Sequence, residues 1–141
     1  MNLTIVKEEL LKMGESIGFK VHEETAEQLT IHAQITAKGH FSNVYFRVVV
    51  YESGTLHMFM TFHQIEKTYD NLFLINAFNS ESPWFRAYIS NINDKDYLEL
   101  HYASFLLETE KEVSTTVVYL LQELLNENTL KYLKPILNNT K

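Results

Sequence analysis

The chain has 141 residues, enough for one domain with a single core spanning 1–141 and too few for a second core of ordinary size. Its 18 acidic and 12 basic residues give a formal net charge of −6, and the basic residues are scattered apart from Lys131, Lys134 and Lys141 near the tail, so the electrostatic footprint of a nucleic-acid binder is absent. The lack of cysteine excludes disulfides, thiolate metal sites, iron–sulfur clusters and thiol catalysis together, and suits a reducing, cytoplasmic setting.

The N-terminal stretch is interrupted by charges every few residues, which argues against a signal peptide, and no window reaches the length of a membrane span. In that stretch Leu3, Val6, Leu10, Leu11 and Ile17 follow the spacing of one helix face, with Gly14 weakening the helix and Gly18 ending it. From Phe19 the period falls to two: Leu29, Ile31, Ala33 and Ile35 alternate with Thr30, His32, Gln34 and Thr36, as in a half-buried strand. Lys38-Gly39-His40 then reads as a turn. Val44 to Tyr51 and Thr55 to His63, rich in β-branched and aromatic residues and separated by Glu52-Ser53-Gly54, form a predicted hairpin.

A helix is expected between Lys67 and Phe78 and should stop at Asn79 to Pro83, because proline cannot continue it. Trp84 to Ser90 and Tyr97 to Leu106 are predicted as a second hairpin through the Asn- and Asp-rich segment 91–96. Thr109 with Glu112 makes a capping box, and Val113, Val117, Leu120, Leu121 and Leu124 supply the buried stripe of the helix it starts. A last short helix is expected from Thr129 to Leu137, bent or broken near Pro135. The order α-β-β-β-α-β-β-α, with hairpins and no regular strand–helix–strand alternation, predicts an α+β fold: one antiparallel sheet of about five strands with helices packed on one face.

This order, together with the stretch Leu72 to Ile89 (LFLINAFNSESPWFRAYI), resembles the YbjN-like family, which shares the type III secretion chaperone-like fold. The resemblance includes an apolar central helix ending in an N-x-x-N pair, here Asn76 and Asn79, ahead of a strand and turn like the Ile89 to Asp96 region. It implies a non-enzymatic, chaperone-like or regulatory adaptor, homodimeric, that holds an extended segment of a protein along apolar strips. It supplies no catalytic residues. Asn79 also has a plain local reading, since asparagine tolerates the left-handed conformation at a helix C-terminus.

Chemistry-bearing patterns are few. His57 and His63 lie on one side of a predicted strand but roughly 20 Å apart along it, too far to share an ion. His101 with Glu99, or His63 with Glu66, could contribute to a site but match no metal motif, so neither a metal nor a cofactor is expected. There is no nucleophile elbow, and Gly14, Gly18, Gly39 and Gly54 stand too far apart to make a phosphate loop. Acidic pairs and runs such as Glu8-Glu9 and Glu108-Glu110-Glu112 fit helix ends and solvated faces.

One feature resists a purely structural explanation. Alternation places Tyr45, Arg47, Val49, Tyr51, Phe59 and Tyr88 on the sheet face opposite the helices, with Trp84 and Arg86 near the same patch. A single-layer sheet should be more polar there, and contiguous aromatics with arginine mark interaction sites. Two arrangements fit: the face is exposed and binds a protein, or the segment Phe19 to Gln28 or the C-terminal segment folds over it. The favoured function is a cytosolic protein-binding module, with Tyr45, Arg47, Val49, Tyr51, Phe59, Trp84 and Tyr88 as its surface. The alternative is a small-molecule or metal site built from His57, His63, His101 and nearby acids between sheet and helices.

Overall fold

The structure, a computed structural model, describes residues 1–139; Lys141 and the end of the expected 1–141 span lie outside the described residues. The elements run α1 (Leu3–Met13), a 3-10 turn (Glu15–Ile17), β1 (Lys20–Glu24), β2 (Gln28–Ala37), β3 (Phe41–Tyr51), β4 (Leu56–Gln64), α2 (Tyr69–Glu81), β5 (Arg86–Ile92), β6 (Lys95–Ser104), α3 (Glu110–Leu124) and α4 (Glu127–Asn139). All strands join one antiparallel sheet of order β1-β2-β3-β4-β6-β5. The α+β class holds, with six strands rather than five. The additional strand is β1, whose five residues are all exposed and so carry no burial alternation for a pattern reading to find.

The core forms where the apolar halves of the alternating strands meet the helix stripes. Ala33, Phe46, Met60, Leu100 and Ala87 line up across five strands, and all are buried. Against this face α1 brings Val6 and Leu10, α2 brings Ile75 and Phe78, α3 brings Val113, Val117, Leu120 and Leu124, and α4 brings Leu130, Leu133 and Ile136. The spacings of three and four residues are those of one helix stripe, so each helix has an inside because its sequence has one. The Thr109–Glu112 capping box forms in both directions and fixes the start of α3.

Turn chemistry explains two shifted boundaries. Asn93 and Asp94 both have positive φ, 52° and 64°, which makes a two-residue turn. β5 therefore extends to Ile92 and β6 begins at Lys95, closer together than the Asn- and Asp-rich composition suggests. α2 runs through Asn79 to Glu81 and ends at Ser82, the residue before Pro83, which steric conflict with the ring keeps extended. Asn79 is thus inside the helix and not in a left-handed cap. Pro135 likewise sits within α4, which continues to Asn139.

Candidate functional site

The side of the sheet away from the helices is uncovered. Phe19 to Gln28 does not fold over it: β1 extends the sheet edge beside β2, and Phe19 joins the helix-side core against Phe46. The C-terminal segment is α4, which packs against α2 on the helix side. Of the two arrangements the sequence left open, the described residues adopt the exposed one.

Strand register sorts the uncovered face into rows running across the strands. One row reads Lys20, His32, Arg47, Phe59, His101 and Arg86, one residue from each strand. The next reads Gln34, Tyr45, Thr61, Glu99 and Tyr88, and on the other side lie Thr30, Val49, His57 and Ala103. Tyr45, Arg47, Val49, Tyr51, Phe59 and Tyr88 therefore do share this face. Val49 contributes little surface, since its taller neighbours leave it 9% exposed.

Trp84 does not belong to the patch. It precedes β5, and its ring meets Tyr119 of α3 edge-on at 5.4 Å between centroids, on the helix side. A strand starting at Trp84 would have placed it with the face residues; the strand starts at Arg86.

Three polar arrangements on the face are built from long-range pairing. Glu99, 4% exposed, accepts hydrogen bonds from the Tyr88 hydroxyl and from Thr61 Oγ1 at 2.8 Å. Burial, then the hydrogen bond to Glu99 and its charge, push the Tyr88 hydroxyl well above the usual tyrosine range. His57 Nδ1 and His101 Nε2 share a hydrogen bond at 2.9 Å, and Phe59 stacks on His101 at 4.6 Å. Burial and then the neighbouring His57 hold His101 below the ordinary histidine range, with Glu99 opposing. His32 bonds Tyr45 at 2.9 Å, packs on His22, and is also lowered, by burial first and then by His22 and Lys20.

Arg47 lies over Phe59 with its guanidinium carbon 4.6 Å from the ring centroid, a cation–π contact. Its Nε is shielded from solvent and has no hydrogen-bond partner. Beside it a basin is lined by His22, Glu23, Gln28, Thr30, Arg47, His57 and Phe59. Phe105 continues the patch beyond β6: it is 64% exposed and meets His57 edge-on. The next residue, Leu106, has φ of 66° and is 87% exposed.

The sequence grouped His101 with His57, and the structure brings these two together; it did not show Glu99 as a buried acceptor, because that depends on the register between β4 and β6. It also put the histidine site in the wrong place. His57 and His101 stand on the uncovered face and not between sheet and helices, while His63 is exposed near the end of β4. Among the described residues no group of three or more His, Cys, Asp or Glu side chains is placed to hold a metal ion.

The fold has a solved counterpart. The crystal structure of YbjN, a candidate transcription regulator from E. coli, superposes with a TM-score of 0.61 over 93% of this chain and 90% of that one, at 16% identity. The fold is YbjN-like. At that identity the likeness carries the architecture and not the site residues. No protein family and no curated protein matches the sequence. No helix among the described residues is long and apolar enough to cross a membrane.

Proposed function

We propose that this chain is a non-enzymatic, cytosolic protein-binding module, a chaperone-like or regulatory adaptor that holds a protein segment on the uncovered face of its sheet. The observation that carries the reading is the contiguous strip of Tyr45, Arg47, Tyr51, His57, Phe59 and Phe105 on a face over which no helix packs. A folded chain gains nothing from exposing Phe105 to water, whereas aromatic residues and arginine supply most of the energy at protein interfaces. The regulatory description of YbjN is compatible with an adaptor role.

Self-association to a homodimer belongs to the same proposal. Tyr69 and Phe73, 93% and 72% exposed on α2, offer a separate apolar surface for that contact. Sedimentation of the wild type and Phe73→Glu tests it: a dimer that becomes a monomer supports the assignment, and a monomeric wild type removes it.

The binding face is tested by placing p-benzoylphenylalanine at Tyr51, on the face, or at Tyr119, on α3, and irradiating the full chain in its host. Discrete protein adducts from position 51 that are absent from position 119 support the reading. Equal adducts from both positions, or none from either, overturn it.

A further inference from the structure

We infer that the segment held by the uncovered face is acidic, and that Arg47 seats one of its carboxylates. The inference rests on the proposed protein-binding role and adds the chemistry of the partner.

The chain has only two arginines, Arg47 and Arg86, and the sheet register puts both in one cross-strand row with Lys20, His32, Phe59 and His101. In a protein of net charge −6, that row contains no acid. Arg47 has neither a hydrogen bond nor an ion pair among the described residues, and its Nε is cut off from water as well. A guanidinium cannot shed its proton, and the terminal nitrogens of Arg47, which unlike Nε are not closed off from solvent, have no acceptor among the described residues and stand open to a bound anion. The neighbouring carboxylate, Glu99, does not serve: it sits one row away and is held by Tyr88 and Thr61. Phe59 holds the guanidinium by a cation–π contact at 4.6 Å, and the two terminal nitrogens remain to meet the two oxygens of a carboxylate.

The extent of the surface argues for a protein segment over a small anion. Six strands at about 4.8 Å make the row about 24 Å long, the span of about seven extended residues. The aromatic rings of Tyr45, Tyr51 and Phe105 flank it, giving apolar contacts for the side chains between the acidic ones. Single-stranded nucleic acid would also stack on such rings, but its affinity comes chiefly from several phosphate contacts. Here Arg86 is engaged by the carbonyls of Ser82 and Phe85, which leaves Arg47 as the one arginine of the row with no hydrogen-bond acceptor among the described residues. One free arginine suits one carboxylate.

The test is selection of a displayed random heptapeptide library on the full chain, followed by fluorescence anisotropy of the winning peptide and of a single-stranded uridine octamer. Circular dichroism first establishes that Arg47→Gln and Arg47→Lys are folded. The expected result is enrichment of Asp or Glu, with affinity falling about ten- to a hundredfold on Arg47→Gln and on Glu→Gln in the peptide, and no further when the two are combined. Arg47→Lys, which keeps the charge and loses the fork, should fall between. Peptides that bind the face with no acidic enrichment, and lose affinity on Phe59→Ala, would overturn the acidic partner while leaving the protein-binding role standing. Selection of no peptide would overturn both, and preference for the octamer over every peptide would replace the protein segment with nucleic acid.

Discussion

The side-chain amide of Asn79, on α2, pairs with both backbone polar groups of Ala87 on β5: Nδ2 donates to the Ala87 carbonyl at 2.9 Å, and the Ala87 amide donates to Oδ1 at 2.7 Å. β5 is an edge strand, and at this point a helix residue stands where the next strand would be. The pairing satisfies one step of an otherwise open ladder and blocks its use by another chain. Asn79→Ala should cost about 1–3 kcal/mol in urea unfolding, since two partly buried backbone groups lose their partner. It should also raise concentration-dependent association, read by light scattering. An unchanged midpoint would show that water replaces the amide without loss.

Glu99 and Tyr88 form a pair whose members respond differently to removal. Tyr88→Phe deletes one charge-assisted hydrogen bond and should cost about 1.5–3 kcal/mol. In spectrophotometric titration Tyr88 should be the last tyrosine to ionise, because its raised pKa comes first from burial and then from Glu99. Glu99→Gln removes the charge and leaves burial, with an amide oxygen that can still accept from the hydroxyl. The late tyrosine should therefore move towards the ordinary range without reaching it, and a full return to normal would make Glu99, not burial, the main cause.

Acid should destabilise the fold through the uncovered face. Burial and neighbouring groups hold His101 and His32 below the ordinary histidine value of 6.5, so just below 6.5 the unfolded chain binds protons that the native chain does not. Stability from these groups is present above about pH 6.5 and is lost as pH falls through that window. The groups facing His101 are His57, which lowers it, and Glu99, which opposes. His32 faces His22 and Lys20, both lowering it. Unfolding free energy measured from pH 7.5 downwards should slope less in His101→Gln than in the wild type, and least in His32→Gln with His101→Gln. Parallel slopes in all three would assign the acid sensitivity to other groups.

Much of this fold was legible because its signals are local. The period-two pattern of β2 and β3, the capping box of Thr109 and Glu112, and the apolar stripe of α3 each lie within a few consecutive residues. The uncovered aromatic face was legible for the same reason, since alternation along β3 assigns Tyr45 and Arg47 to one side, and alternation along β4, joined to it by a short turn, does the same for His57 and Phe59. What one strand cannot reveal is its register against the next. That register brings His57 to His101 and Glu99 to Thr61, residues 44 and 38 positions apart. Asn79 was noticed for its place in the sequence and misjudged in its role, because its partner Ala87 is reached only after the chain has turned into β5.

Gly54 and Gly39 separate two reasons for needing glycine. Both have positive φ, 96° and 84°, where a side chain is disfavoured. At Gly39 an added Cβ would meet nothing within 4 Å, so Gly39→Ala bears the conformational cost alone, about 1–2 kcal/mol. At Gly54, in the β3–β4 turn, a Cβ would lie 2.2 Å from the carbonyl oxygen of Leu107, whose amide donates to the Gly54 carbonyl at 3.0 Å. Backbone held by that bond cannot yield as a flexible side chain would, so the clash must displace the segment after β6. Gly54→Ala should therefore cost about 1–3 kcal/mol more than Gly39→Ala in chemical unfolding. Because that segment carries Phe105 and Leu106, hydrogen exchange around residues 105–107 should quicken in Gly54→Ala and stay unchanged in Gly39→Ala. Equal costs for the two substitutions would mean that the segment gives way freely, and that the turn does not hold this end of the uncovered face.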